Sequence, residues 1–188
     1  MKEKLLLAAT LMVSTSTVFA HPGHGLETAY AGFIHPMTGW DHLLVMLAVG
    51  LWAAKLGGKA RWQLPLTFVS VMAVGIILGA AGIHFSGVET AIAASVMAMG
   101  VLLILSLPMH KTLQLSITAI FALFHGMAHG VELTLHQSYT ALGGMLLATA
   151  LLHGVGFQLG SQRVKWAKCM QNCIACLMLI AGSYLFLG

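Results

Sequence analysis

Two short segments of the chain concentrate the groups able to hold a cation: His35-Pro36-Met37-Thr38-Gly39-Trp40-Asp41-His42, and Phe124-His125-Gly126-Met127-Ala128-His129-Gly130-Val131-Glu132. In the second, helical offsets of four and seven residues bring His125, His129 and Glu132 within about 60° of one another around the axis, so one face presents two imidazoles and a carboxylate. Nitrogen and oxygen ligands of this kind suit nickel, cobalt and zinc. Gly126 and Gly130 leave room beside that face for a second helix or for an ion. Isolated core histidines satisfied by hydrogen bonds are the structural alternative.

In the first segment Asp41 and His42 are adjacent and point about 100° apart on a helix. They need not face the same ion, and Asp41 is expected to orient a neighbouring imidazole from behind. Proline favours a first helical position, which places His35 just before the helix with its ring folding over the mouth. A plain helix-entry cap is the competing reading. Secondary candidates are Glu89, near the start of a later apolar run and equally suited to the positive end of a helix dipole, and His153, an inner stop for an ion leaving the outer groups. His21 and His24 in His21-Pro22-Gly23-His24, together with His84, suit collection of cations at an entrance. Cys169, Cys173 and Cys176 share one helix face, and such thiols usually serve as small packing groups.

The elements that must position these residues are membrane helices. Of 188 residues, 59% are hydrophobic and 7% charged, against about 25% charged in soluble domains. Residues 1–20 combine Lys2 and Lys4, an apolar stretch from Leu5 to Val13 and the ending Val18-Phe19-Ala20, the form of a cleaved signal peptide. Six apolar runs follow at about 36–54, 64–82, 88–107, 113–131, 140–160 and 169–187, each near the ~20 residues that cross a bilayer. The expected fold is therefore all-α: a polytopic membrane bundle of six transmembrane helices over residues 21–188, after the signal. Lys55, Lys59, Arg61, Lys111, Arg163, Lys165 and Lys168 fall in alternate loops, which by the positive-inside pattern puts the mature amino terminus in the periplasm and the protein in an inner membrane. Gly75, Gly79, Gly82, Gly143 and Gly144 are expected to let helices approach closely.

Function classes can be set aside on the same residues. The basic residues form no continuous stripe, which argues against nucleic acid. No phosphate-binding loop is present to couple transport to ATP. A membrane hydrolase is disfavoured because Gly126 stands where a His-Glu-x-x-His motif needs its glutamate. What remains is a non-enzymatic permease carrying a divalent ion without a resident cofactor, or a non-conducting metal sensor or accessory protein. Because protons compete for imidazole nitrogens, uptake should fall as pH drops through roughly 6 to 7.

With His35-Pro36, Gly39, Asp41-His42, His125-Gly126, His129-Gly130 and Glu132, the signal and the six spans, the chain resembles the HupE/UreJ family over essentially its whole length. That resemblance implies secondary or passive entry of Ni2+ or Co2+, with the motif residues as ligands. It also implies a functional link to a nickel enzyme such as hydrogenase or urease. A homo-oligomer in the lipid bilayer fits the same expectation. The motifs do not choose between the metals, whose affinities rise together with ligand strength.

Overall fold

The computed structural model describes residues 28–105, 107–132, 139–162 and 164–187. The expected signal peptide and the candidates His21 and His24 lie outside these residues. Among those described there are seven helices and no strand: α1 (Ala29–Thr38), α2 (Trp40–Leu56), α3 (Ala60–Ala80), α4 (Val88–Leu105), α5 (Lys111–Glu132), α6 (Tyr139–Ser161) and α7 (Lys165–Leu187).

Four segments, Ala60–Ala80, Val88–Leu105, Tyr139–Ser161 and Trp166–Leu187, are long and apolar enough to cross a membrane. Helices α1 and α2 reach that standard only together, and they meet at an angle of 89°. The helix expected over 113–131 is present as α5, yet it falls outside the membrane-length set because His125, His129, Glu132 and its hydroxyl and amide residues dilute its apolar character. Its most polar face is turned inward, where His125 and His129 are buried.

The sharp bend corrects the expectation for the first segment. Thr28 caps α1 by accepting from Ala31 N at 3.0 Å, and the helix continues through Pro36 rather than beginning there. Pro36 donates no backbone bond. Thr38 Oγ1 closes the last turn on the His35 carbonyl at 2.7 Å, and Gly39, extended at φ −95° and ψ 122°, starts α2. His35 therefore sits in the last turn of α1, not ahead of a helix.

Glycines lock the helices together in pairs. Gly75 and Gly79 of α3 face Gly126 and Gly130 of α5, and a Cβ on any of the four would overlap a backbone carbonyl of the opposite helix: Leu123, Met127, Met72 and Ile76 respectively. The space beside the histidine face is thus taken by a helix, in the close-packed manner of small-residue membrane interfaces. Gly50 of α2 and Gly156 of α6 interlock in the same way, as do Gly32 of α1 and Gly144 of α6. Accordingly α3 packs most extensively on α5, and α6 on both α1 and α2, while α4 pairs with α7.

The bundle has two chemically distinct ends. Asp41, Glu89 and Glu132 lie at helix ends that converge. At the opposite end Lys55, near the end of α2, donates to the Leu103 carbonyl near the end of α4, with Lys168 close by on α7. Exposed Tyr30, Trp40, Tyr139 and Tyr184 ring the first end, and Trp62 and Trp166 the second, matching the aromatic belts of membrane proteins. Between them exposed leucines, isoleucines and valines cover the outer surface. Cys169, Cys173 and Cys176 are exposed on α7.

Candidate metal site

Gly39 makes the first pair of polar residues compatible with one another. A Cβ at this position would lie 2.8 Å from Asp41 Oδ1 and 3.1 Å from His42 Nδ1, so glycine lets the two side chains fold back over the helix start, where any other residue would shift them. His42 Nδ1 donates to Asp41 Oδ1 at 2.8 Å. The carboxylate thus fixes the tautomer, leaving the lone pair on Nε2 to face inward, as metal-binding histidines are commonly oriented from behind.

On α5 the intrahelical carbonyl four residues back plays the same part. His125 Nδ1 donates to Phe121 O at 2.9 Å, and Nε2 again carries the lone pair. His129 follows one turn later, and Glu132 ends the helix with its side chain 54% exposed. From α1, His35 Nε2 donates to Glu132 Oε2 at 2.7 Å. Ligand atoms of His35, His129 and Glu132 lie within 4.8 Å of one another, close enough for one ion to touch all three.

These groups form a single file. Ring centroids are 4.9 Å apart for His35 and His129, 4.4 Å for His129 and His42, and 5.0 Å for His42 and His125. The Phe68 ring of α3 then stands 5.9 Å from His125 and 5.1 Å from His153. The side chains of His35 and His42 are partly exposed, at 24% and 15%, while His129, His125 and His153 are buried. Among the described residues Nε2 of His42, His125 and His129, and both ring nitrogens of His153, are buried without a hydrogen-bond partner. Buried polar atoms are seldom left so, because each costs on the order of 1–3 kcal/mol. The unpartnered Nε2 atoms belong to rings that neighbour one another across α2 and α5, which makes them candidate ligands.

Glu89 does not join the file. It occupies the exposed first turn of α4 and lines, with His84, Met127 and Glu132, a cavity of about 270 Å³ at the mouth. Glu132 belongs to both features and joins the cavity to the histidines. Phe68 went unnoticed in the sequence because an aromatic inside an apolar run carries no signal of its own.

The fold and the file together define a multi-pass helical membrane protein with a row of histidines inside its bundle. The model of the HupE / UreJ protein family matches residues 8–185. The chain is 38% identical to Protein HupE of Rhizobium leguminosarum bv. viciae over 188 residues, which cover 99% of this chain and 98% of that one. No solved structure matches. The chain belongs to the HupE/UreJ family, known for accessory nickel and cobalt transport in hydrogenase and urease systems.

Proposed function

We propose that the chain is a permease of an inner membrane, crossing it six times with the acidic end outside, and that it admits Ni2+ or Co2+ by passive or secondary transport for a nickel enzyme. The observation that carries this reading is the file of neighbouring rings His129, His42 and His125, whose buried Nε2 atoms lack a hydrogen-bond partner, beside the His35–Glu132 pair at the rim.

Charge supports a divalent cargo. With the imidazoles neutral, Asp41 and Glu132 supply two negative charges, and a divalent ion among them makes the site neutral, which a low-dielectric interior favours. Cations enter past Glu89 and Glu132, and the incoming ion replaces the His35–Glu132 hydrogen bond, the His35 proton being then held on Nδ1 so that Nε2 is free to bind. Passage onward requires Phe68 to move, since its ring fills the interval between His125 and His153. His153 then receives the ion with few competing ligands, which keeps binding weak enough for release. We read the chemistry as binding and passage rather than turnover, since Gly126 stands where a His-Glu-x-x-His motif needs its glutamate.

Uptake of Ni2+ and Co2+ into proteoliposomes holding the purified protein or its His129→Ala variant tests this. Saturable flux lost in the variant is expected. Bound metal without flux in the parent protein would overturn the permease and leave a sensor or accessory role.

A further inference from the structure

The end of the bundle remote from the histidines carries a second polar feature with no part in the metal path. A cavity of about 150 Å³ is lined by Lys55, Gln162, Lys168, Gln171 and Asn172. These side chains bring two ammonium groups and three carboxamides, and the described carboxylates, Asp41, Glu89 and Glu132, all lie at the opposite end of the molecule. Two members are held in place. Lys55 Nζ donates to the Leu103 carbonyl, and the buried Gln171 donates from Nε2 to the Leu159 carbonyl at 3.0 Å. Each retains further N–H groups for a ligand. Positive charge without a carboxylate partner, in a pocket of amide donors, is chemistry for an anion.

The cavity does not stand alone. Gln162 also lines a groove of about 510 Å³ with Val155, Gln158, Leu159 and Trp166, running along α6 and α7 on the apolar outer surface. Val155 and Trp166 are exposed. A cationic pocket opening at one residue into a largely apolar groove, beside an interfacial tryptophan, matches a molecule that joins an anionic head to a hydrocarbon tail. Basic pockets between helices near a membrane surface are recognised sites for acidic headgroups.

We propose that this pocket and groove form a binding site for one anionic phospholipid, its phosphate among Lys55, Lys168 and Asn172 and an acyl chain along Val155, Leu159 and Trp166. The site rests on the membrane placement of the bundle and not on the identity of the transported ion. A bound lipid here ties the ends of α2, α6 and α7 together at the end where transported ions leave.

The test uses the full chain, delipidated in detergent and exposed to equimolar phosphatidylglycerol and phosphatidylcholine, with retained lipid counted by native mass spectrometry. The parent is expected to retain phosphatidylglycerol preferentially. Lys168→Gln should lower that preference about fivefold and Lys55→Gln/Lys168→Gln about 25-fold, since each basic residue near an acidic surface contributes roughly a fivefold factor. Lys59→Gln/Arg61→Gln, which removes charge from the same end outside the cavity, should leave it unchanged. An unaltered preference in the Lys55/Lys168 variants, or an equal loss in the Lys59/Arg61 variant, overturns the site. Displacement of phosphatidylglycerol by millimolar inorganic phosphate overturns the lipid assignment in favour of a free anion. Lys168→Gln alone decides the matter if the double variant does not fold, and Ni2+ binding measured on the same samples reports independently on the metal site.

Discussion

Replacing Asp41 by asparagine isolates what the carboxylate does for the metal site. Asparagine keeps an acceptor oxygen for His42 Nδ1, now 2.8 Å from Asp41 Oδ1, so the ring should stay in place and only the negative charge is lost. An ion on His42 Nε2, at a metal–nitrogen distance of about 2.1 Å, lies roughly 7 Å from that charge. Coulomb attraction between a unit charge and a divalent ion at roughly 7 Å is about 5 kcal/mol at an effective dielectric of about 20. That value is a ceiling, because the empty site of the variant no longer holds a half-buried carboxylate away from water. Losses on removing a partner behind a ligand are about 10–100-fold in affinity, and this range is expected for Asp41→Asn by calorimetric titration with Ni2+. His42→Ala should lose more, and Asp41→Asn/His42→Ala no more than His42→Ala alone, because the charge acts through the ring it orients. Unchanged affinity in Asp41→Asn, or additive losses in the double variant, would refute the assignment of Asp41 as a positioning residue.

Gly126→Ala would push a methyl group into the Met72 carbonyl across the α3–α5 contact; a loss of about 1–3 kcal/mol of stability with weaker Ni2+ binding is expected in thermal unfolding and titration, and wild-type behaviour would mean the helices separate freely. His153→Ala should leave binding at the outer histidines within about twofold, since His153 lies beyond Phe68, while slowing proteoliposome flux at least tenfold; equal losses of both would place His153 in the outer site. Lowering the pH from about 7 to about 5 should weaken Ni2+ binding, because protons and metal compete for the same ring nitrogens, and constant affinity across that interval would exclude imidazole ligation.

Much of the site was legible because it lies on one helix. His125, His129 and Glu132 are related by helical spacing alone, and the structure turns His125 and His129 inward and Glu132 to the rim. Asp41 and His42 were legible as neighbours with different directions. The arrival of His35 was legible only as a residue near the mouth. Its route, through a short helix that continues past Pro36 and breaks at Gly39, depends on the fit of Gly39 against the Asp41–His42 pair, and no local propensity encodes that. Periodicity gave α5 as a helix while its polar face kept it from reading as a simple apolar span. Gly75 and Gly79 were recognisable as packing residues, but their partners Gly126 and Gly130 lie some fifty residues away, and pairing between distant segments has no local signature. Phe68 was invisible for the same reason: its significance comes from the two histidines it touches, on two other helices.

The interlocked glycines have a mechanical consequence. They divide the ligands between two bodies: His35, Asp41, His42 and His153 ride on the unit formed by α1, α2 and α6, and His125, His129, Glu132 and Phe68 on the unit formed by α3 and α5. Within each unit backbones mesh and leave little freedom, whereas the units touch one another more sparsely. The proposed path therefore runs along a seam rather than down a bore, and a slide of one body against the other by a fraction of a helical turn would exchange the neighbours of every histidine at once.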